Sequence, residues 1–300
     1  MGNDCEHYGH HGVHDTSDGH YPNETIRLLL ERASCRSFED KEIPDDILDY
    51  VLKAGIHAPT GGNLQPFSII KITDKDVSKK LGEKCEQSFI GAAPVNLLFC
   101  LDFHRLKRWA EIETAPFSAC DSFRHFWIGF QDTIIAAQNI CTAADALGLG
   151  SVYIGTVLEF LRDLKEMFDL PQGVVPVVLL CLGYPKHRPK PRKKLPVDII
   201  VHNEKYQELT DKQISHVFKE KYSGWKWEIN EERLARIEQV CRDVHGEEFA
   251  RKCIAEIKEN GYISPVQVYF GLHYVANEMN QGNAEFLKIM REFGFGWFDK

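Results

Sequence analysis

The sequence predicts a mixed fold in which short buried strands alternate with helices, followed by a part made of helices alone. Apolar runs bounded by turn residues are typical of buried strands, and the chain has three: FSIIKI at 67–72, PVNLLFCLD at 94–102 and VVPVVLLCLGYP at 174–185. Segments with the apolar period of helices lie between these runs. From about Asp211 onwards only helical patterns remain, which predicts an extension of different architecture.

Capping residues and apolar periodicity set the bounds of the main helices. Asn23 precedes a helix with apolar residues at helical spacing, and a second helix is expected from about Pro44. The longest helix is predicted from Ser122 to Leu147, with Gly148 ending it. This helix is rich in alanine and apolar on most sides, so we expect it to lie in a core or an interface.

The composition favours small molecules over nucleic acid or membrane as ligands. The chain has 300 residues, of which 43% are apolar, which is enough for a sizeable core. Its net charge of -8 at pH 7 disfavours a polyanionic partner. Because no run approaches 18 uninterrupted apolar residues, no membrane-spanning helix is expected.

The cysteines and the N-terminal residues predict a cytoplasmic protein. The nine cysteines are scattered singly without a C-x-x-C pair, which favours reduced thiols over a disulfide framework or a zinc site. The first 22 residues are polar and lack the apolar segment of a signal peptide.

Three parts are expected along the chain: a disordered, His-rich tail at 1–22, an ordered domain at 23–206 and a helical extension at 207–300. Histidines of the tail are close enough in sequence to bind a metal ion, and a solvated tail is the favoured alternative because no ligand geometry is fixed. These histidines are His7, His10, His11, His14 and His20.

Two basic motifs could bind a phosphate. In RASCRSF, the side chains of Arg32, Ser34 and Arg36 alternate, so an extended segment would present all three on one face. In GYPKHRPKPRKKLP, prolines stiffen a loop in which Lys190 and Arg192 would point to the same side. For each motif a solvated surface segment is the alternative interpretation.

The turn HAPTGGNLQPF, between a helix and a strand, is richer in small and amide residues than a connector needs. Its glycines allow a flat ligand to approach the backbone, and Asn63 and Gln65 offer the paired donors and acceptors that a heterocycle edge requires. An ordinary loop of turn-forming residues is the alternative. Neither a G-x-G-x-x-G nor a G-x-x-x-x-G-K motif occurs, and no hydrolase motif stands out.

Taken in order, these segments resemble the family of FMN-dependent nitroreductases and flavin reductases, particularly its NADPH-preferring, oxygen-insensitive branch. ERASCRSF, APTGGNLQPF, AQNICTAADALGLGSVYIG and LGYPKHRPKPRKKLPVDIIVHNEKY are similar to four motifs of that branch, in register. The resemblance spans about 24–206 and offers no counterpart for 207–300. It implies an α+β fold, a mainly antiparallel sheet wrapped by helices, in an intertwined homodimer with FMN at the interface.

The resemblance also implies which residues bind the cofactor. The FMN phosphate and the pyrimidine edge of the ring would be held by Arg32, Ser34 and Arg36. The turn residues at 60–65 would line the pocket. Gln87 would contact the isoalloxazine, and the segment 153–156 would pass beside the ring. The basic loop would close on the phosphate. The full set is Arg32, Ser34, Arg36, Thr60, Asn63, Gln65, Gln87, Tyr153, Ile154, Gly155, Thr156, Lys190 and Arg192.

The implied activity is hydride transfer from NADPH or NADH to FMN, followed by reduction of a nitroaromatic, quinone or flavin acceptor in a ping-pong sequence. No side chain is assigned as a catalytic acid or base, and no metal is expected. Thr156 stands where the branch usually has a second glycine, which leaves the choice between NADPH and NADH open. The alternatives are a specialised flavoenzyme of the same fold, or a flavin-binding or partner-docking protein with little turnover.

Overall fold

The computed structural model describes residues 21–299, which divide into two compact units. The core unit comprises the described residues up to Pro191 together with 284–299, and the helical unit comprises 192–283. The predicted tail at 1–22 and its five histidines lie outside the described residues, apart from its last two positions. The residues at 284–299 belong to the core unit by their contacts, whereas the sequence analysis placed them in the helical extension. The predicted domain bounds at 206 and 207 stay a prediction.

The core unit is a four-stranded sheet with helices around it. Its elements are α1 (Glu24–Glu31), α2 (Asp45–Ile56), β1 (Phe67–Ile72), α3 (Lys75–Lys84), α4 (Phe89–Ala92), β2 (Val95–Asp102), α5 (His104–Ile112), α6 (Phe123–Ala146), β3 (Gly150–Ile154), α7 (Leu161–Met167) and β4 (Val174–Gly183). The strand order is β1-β2-β4-β3, and every neighbouring pair is antiparallel. The prediction of an α+β fold with an antiparallel sheet is confirmed.

The two central strands of the sheet, β2 and β4, are buried and mainly apolar. Every residue of β2 and β4 is buried, as expected for strands covered on both faces. Helix α6 packs against α2, where Gly55 allows a close approach: a Cβ at this position would lie 2.6 Å from the Cδ1 atom of Ile140. The predicted cap of α1 is present, since the Asn23 side chain accepts from the backbone N–H of Ile26.

The predicted bounds of the long helix are also confirmed. Ser122 is the N-cap of α6, and its side chain accepts from the backbone N–H of His125. Helix α5 has no counterpart in the prediction, although Leu106, Trp109 and Ala110 have the apolar spacing of a helix. No helix among the described residues is long and apolar enough to cross a membrane.

The helical unit has its own small core, formed around Ile237, Ile257, Ile263 and Val268. Its elements are α8 (Val197–Ile200), α9 (Asp211–Lys221), α10 (Glu231–His245), α11 (Glu247–Asn260) and α12 (Pro265–Val268), followed by a π-helical turn at Tyr269–His273. Helix α11 ends at Gly261, which adopts the left-handed conformation at φ 70°.

The last helix, α13 (Asn283–Glu292), begins at the end of the helical unit and runs into the core unit. Met290, Phe293 and Phe295 are buried in the main hydrophobic core with residues of the sheet. The Arg162 guanidinium forms a bidentate ion pair with the Glu292 carboxylate, with nitrogen–oxygen distances of 2.6 and 2.7 Å. The C-terminal segment is therefore a component of the core unit.

Candidate functional site

An extended segment after α1 brings the two predicted basic motifs next to each other. The Cys35 backbone N–H donates to the carbonyl of Ser151 in β3 at 2.9 Å, and the N–H of Lys186, just after β4, donates to the carbonyl of Ser37 at 3.0 Å. Arg32, at the start of this segment, is consequently a neighbour of the proline-rich basic loop.

A cavity of about 650 Å³ lies where these motifs meet. Four cationic residues and three carboxylates line it, namely Arg27, Arg32, Arg188, Lys190, Glu24, Glu31 and Asp145. Arg27 is paired with two glutamates of its own helix. Within residues 21–299, no ion pair involves Lys190, so its ammonium group remains available to an anion entering the cavity.

The buried carboxylate of Asp145, near the end of α6, holds two guanidiniums at this cavity. Its Oδ2 accepts from the Nε of Arg32 at 3.1 Å, and its Oδ1 lies 3.9 Å from the Nη1 of Arg188. The Arg32 Nη2 also donates to the Oγ of Ser151 at 3.2 Å. Burial raises the pKa of the Asp145 carboxyl, while the two guanidiniums act in the opposite direction. Asp145 therefore fixes Arg32 on the wall of the cavity.

Ser34 and Arg36 follow the predicted alternation without reaching the cavity lining. Both are exposed, and the intervening Cys35 is buried, as expected for an extended segment with one face against the protein. Of the predicted phosphate ligands in this motif, Arg32 alone lines the cavity.

The turn between α2 and β1 has an unusual backbone held by specific hydrogen bonds. Gly62, Asn63 and Gln65 have positive φ angles of 59°, 56° and 49°. Glycine and asparagine tolerate this region, whereas it strains a glutamine. The Gln65 N–H donates to the Oγ1 of Thr60 at 3.2 Å, and the Gly61 N–H donates to the Oδ2 of Asp132 at 3.1 Å. A strained, rigid loop of this kind is typical of a binding site.

The remaining predicted residues lie around the end of β3. The side-chain amide of Gln87 donates to the Oγ1 of Thr156 at 3.2 Å, so the structure joins two residues that are far apart in sequence. Ile154 is buried, whereas Gly155 is exposed, and a Cβ at Gly155 would meet no atom within 4 Å. Burial raises the pKa of Tyr153, whose hydroxyl donates to the Oε1 of Gln138 at 3.4 Å. The backbone after β3 is thus open to a ligand.

Helix α6 relates these clusters to one another within the core unit. Asp132 contacts the turn, Gln138 contacts Tyr153, and Asp145 contacts Arg32. Asp132 and Asp145 are thirteen residues apart, which corresponds to about 20 Å along a helix. A single chain therefore brings Arg32 together with Lys190, and Gln87 together with Thr156, but holds the turn at 60–65 apart from the Arg32 cavity.

Arg192, predicted as a phosphate ligand with Lys190, belongs to the helical unit by its contacts. There its guanidinium carbon lies 5.8 Å from the centre of the Trp225 ring, a cation–π contact. Its predicted role in the cofactor site stays a prediction, as do the roles of the other residues.

Three residues that the sequence analysis did not assign to the site emerge from the structure: Asp132, Asp145 and Arg188. Arg188 lies in the same basic loop as Lys190, and nothing in the sequence separates it from its exposed neighbours. The two aspartates are the acidic residues of a helix that is apolar on most sides. Carboxylates at such positions need a partner when buried, and that signal could have identified both.

The chain belongs to the Nitroreductase family, whose model matches residues 29–184. It is 30% identical over 233 residues to the oxygen-insensitive NADPH nitroreductase of Salmonella typhimurium, a match covering 77% of this chain and 92% of that protein. It is 33% identical over 213 residues to the FMN reductase [NAD(P)H] of Bacillus subtilis, covering 67% of this chain and 86% of that protein. The predicted family is confirmed.

Solved structures agree with this assignment. A putative oxidoreductase from Bacteroides fragilis superimposes with a TM-score of 0.74 at 25% identity, covering 90% of this chain and 99% of that chain. The NADPH:FMN oxidoreductase from Vibrio harveyi complexed with NAD+ gives a TM-score of 0.62 at 32% identity, covering 68% and 88%. Because the first match covers nine tenths of this chain, it extends into 207–300, for which the sequence resemblance offered no counterpart.

Proposed function

We propose that this protein is an FMN-dependent oxidoreductase that uses NADPH or NADH to reduce nitroaromatic, quinone or flavin acceptors. Relatives named as NADPH nitroreductase and FMN reductase support the reaction class. The observation that carries the proposal is the cavity of about 650 Å³, with the cations of two separate basic motifs on its wall. Charge-assisted hydrogen bonds from such groups are the usual means of holding a phosphate monoester.

The residues present suit FMN. Arg32, Arg188 and Lys190 would hold the phosphate, and the exposed backbone at Gly155 leaves room for the edge of a flat ring. Thr60, Asn63 and Gln65 would supply amide and hydroxyl groups to the heterocycle. The predicted roles of Ser34, Arg36, Gln87, Tyr153, Ile154, Thr156 and Arg192 are part of the same proposal.

Bound FMN would supply the redox chemistry, accepting hydride from the nicotinamide and passing reducing equivalents to the acceptor. The chain's own residues bind and orient. Asp145 keeps Arg32 at the phosphate end, and Gln87 fixes the hydroxyl of Thr156. Burial raises the pKa of Tyr153 further above its ordinary value, so its phenol is a neutral hydrogen-bonding group in the site. None of these residues is required to act as a catalytic acid or base.

We further propose that the active form is a homodimer in which the site is shared. The turn at 60–65 and the Arg32 cavity are separated by about 20 Å along α6, so a second copy could bring its turn to the cavity of the first. Helix α6 also exposes Trp127, Phe130 and Ile135, an apolar surface suited to an interface between copies. Sedimentation should give a species of twice 34.4 kDa at micromolar concentration; a monomer alone would contradict this proposal.

A cytoplasmic location is part of the same proposal. All eight cysteines among residues 21–299 are free thiols, which is typical of a reducing compartment. The partners expected are a small-molecule electron acceptor and a second copy of the chain.

The test combines a spectrum with a binding measurement. The purified protein should be yellow, and its absorbance should bleach under anaerobic NADPH or NADH and return when a quinone is added. Comparing the two nucleotides at equal concentration would also determine the preferred donor. A yellow protein that neither nucleotide bleaches would refute the reductase and leave a flavin-binding protein or a specialised flavoenzyme.

The phosphate assignment has its own control. Lys190→Ala should weaken FMN binding about tenfold or more, because a hydrogen bond to a charged group contributes about 1.5 to 3 kcal/mol. Lys186→Ala removes a cation from the same loop but from outside the cavity lining, so its FMN affinity should equal that of the wild type. Equal affinities in both variants would overturn the assignment. Parallel double-reciprocal plots are expected if donor and acceptor use one site in turn.

A further inference from the structure

The helical unit contains a second cavity, of about 320 Å³, with two cysteines on its wall. Helices α10 and α11 form a hairpin around Gly246, with Cys241 before this turn and Cys253 after it. Both cysteines line the cavity and pack against the small core of the unit. Cys241 is close enough to Cys253 to contribute to the raised pKa of the Cys253 thiol.

The remainder of this cavity is mainly apolar and reaches the surface. Its walls include Ile237, Val240, Val244, Phe249 and Phe270, and the last three of these are exposed at its rim. The size is sufficient for a small monocyclic molecule. A metal ion is not the expected ligand, because no group of three or more His, Cys, Asp or Glu within 21–299 could hold one.

We propose that Cys241 and Cys253 form a reversible dithiol site, oxidised to an intramolecular disulfide by an organic hydroperoxide that binds in this cavity. Apolar walls favour a hydroperoxide with a hydrocarbon body over hydrogen peroxide itself. The six other cysteines of the described chain all lie in the core unit, and five of them are buried.

The reaction balances in two steps. The thiolate of Cys241 attacks the outer oxygen of the hydroperoxide, giving a sulfenic acid and releasing the alcohol after protonation. The Cys253 thiol then displaces water from the sulfenic acid, so that one S–S bond replaces two S–H bonds. The hydroperoxide takes up the two electrons and two protons that the thiols lose.

The order of the steps follows from the surroundings of Cys253. Burial, together with its neighbour Cys241, raises the pKa of the Cys253 thiol to about 12. A thiol whose pKa is raised forms the attacking thiolate less readily than an ordinary thiol, so the first attack is assigned to Cys241 and the second step to Cys253. The side-chain amide of Gln267 lies 3.9 Å from the Cys253 sulfur.

The experiment uses the full-length protein, treated with cumene hydroperoxide or with hydrogen peroxide at the same concentration. Remaining thiols are then alkylated, and the protein is digested with trypsin without reduction. The expected product joins the peptides IEQVCR (237–242) and CIAEIK (253–258) and is about 2 mass units lighter than the two free peptides together. It should form about tenfold faster with cumene hydroperoxide, because the cavity buries its apolar body.

Two variants and one control define the outcome. In Cys253→Ser, dimedone should label Cys241 and no linked peptide should form; in Cys241→Ser, neither product is expected at this site. Cys120→Ser changes the other half-buried cysteine of the described chain and should leave the cross-link unchanged. Separate alkylation of both cysteines in the peroxide-treated wild type would overturn the dithiol site. Equal rates with the two peroxides would overturn the role of the cavity.

Discussion

The substitution Phe293→Ala tests whether the C-terminal segment is required for the stability of the core unit. Phe293 follows α13, is 0% exposed, and lies in the core cluster of the sheet. The ammonium group of Lys165 lies 4.7 Å from the centre of the Phe293 ring. The backbone carbonyl of Phe293 accepts a hydrogen bond from the N–H of Gly173 at 2.7 Å. Replacing a buried phenylalanine by alanine removes the transfer free energy and leaves a cavity, which costs about 3 to 5 kcal/mol.

That loss is a large fraction of the stability of an ordinary domain, which is about 5 to 15 kcal/mol. Urea unfolding at fixed protein and flavin concentration should show a lower midpoint with an unchanged slope. The control is Phe286→Ala in α13. Because Phe286 is 40% exposed, this substitution should lower the unfolding free energy by no more than about 1 kcal/mol. If both variants unfold at the same urea concentration, the C-terminal segment does not contribute to the core as described.

Three further predictions concern the site. Asp145→Asn should weaken FMN binding in a titration, because Arg32 is then no longer held at the cavity wall by a charged partner. Asn63→Gly should keep stability within about 0.5 kcal/mol, since glycine accepts the positive φ of 56°, while an FMN titration shows weaker binding. Burial raises the pKa of Asp132 above its unfolded value, so the folded protein binds this proton more tightly, and stability falls as pH rises through the folded pKa. The gain in unfolding free energy from Asp132→Asn should consequently be larger at pH 7 than at pH 4; the reverse order would contradict the assignment.

Most elements of the core unit could be predicted from the sequence, because helix caps, helix bounds and buried strands are determined by residues that are close together in the chain. The cap at Asn23, the bounds of α6 and the three apolar strands were all evident from residue type and spacing. Helix α5 was missed, although the apolar spacing of Leu106, Trp109 and Ala110 indicates a helix. A 3-10 turn at Thr156–Phe160 precedes α7.

The site was predictable as residue types and only partly as an arrangement. Alternation in the extended segment indicated Arg32, Ser34 and Arg36 together, yet only Arg32 meets the cavity. The ion pair of Arg32 with Asp145 joins residues that are 113 positions apart, and no local sequence pattern predicts such a contact. For the same reason, periodicity could not reveal that Phe293 and Phe295 are buried among residues of the sheet.

The path of the chain determines how the helical unit can be studied. The chain leaves the core unit after Pro191 and re-enters it at Ala284, so 192–283 form an insertion with both ends attached to the core. A truncation that removes everything after residue 223 would also remove Met290, Phe293 and Phe295 from the main core. Loss of activity in such a variant would report unfolding of the core and give no information on substrate access. Only a variant that keeps 284–299 can distinguish unfolding of the core from a change in substrate access, because the residues that complete the core are then still present.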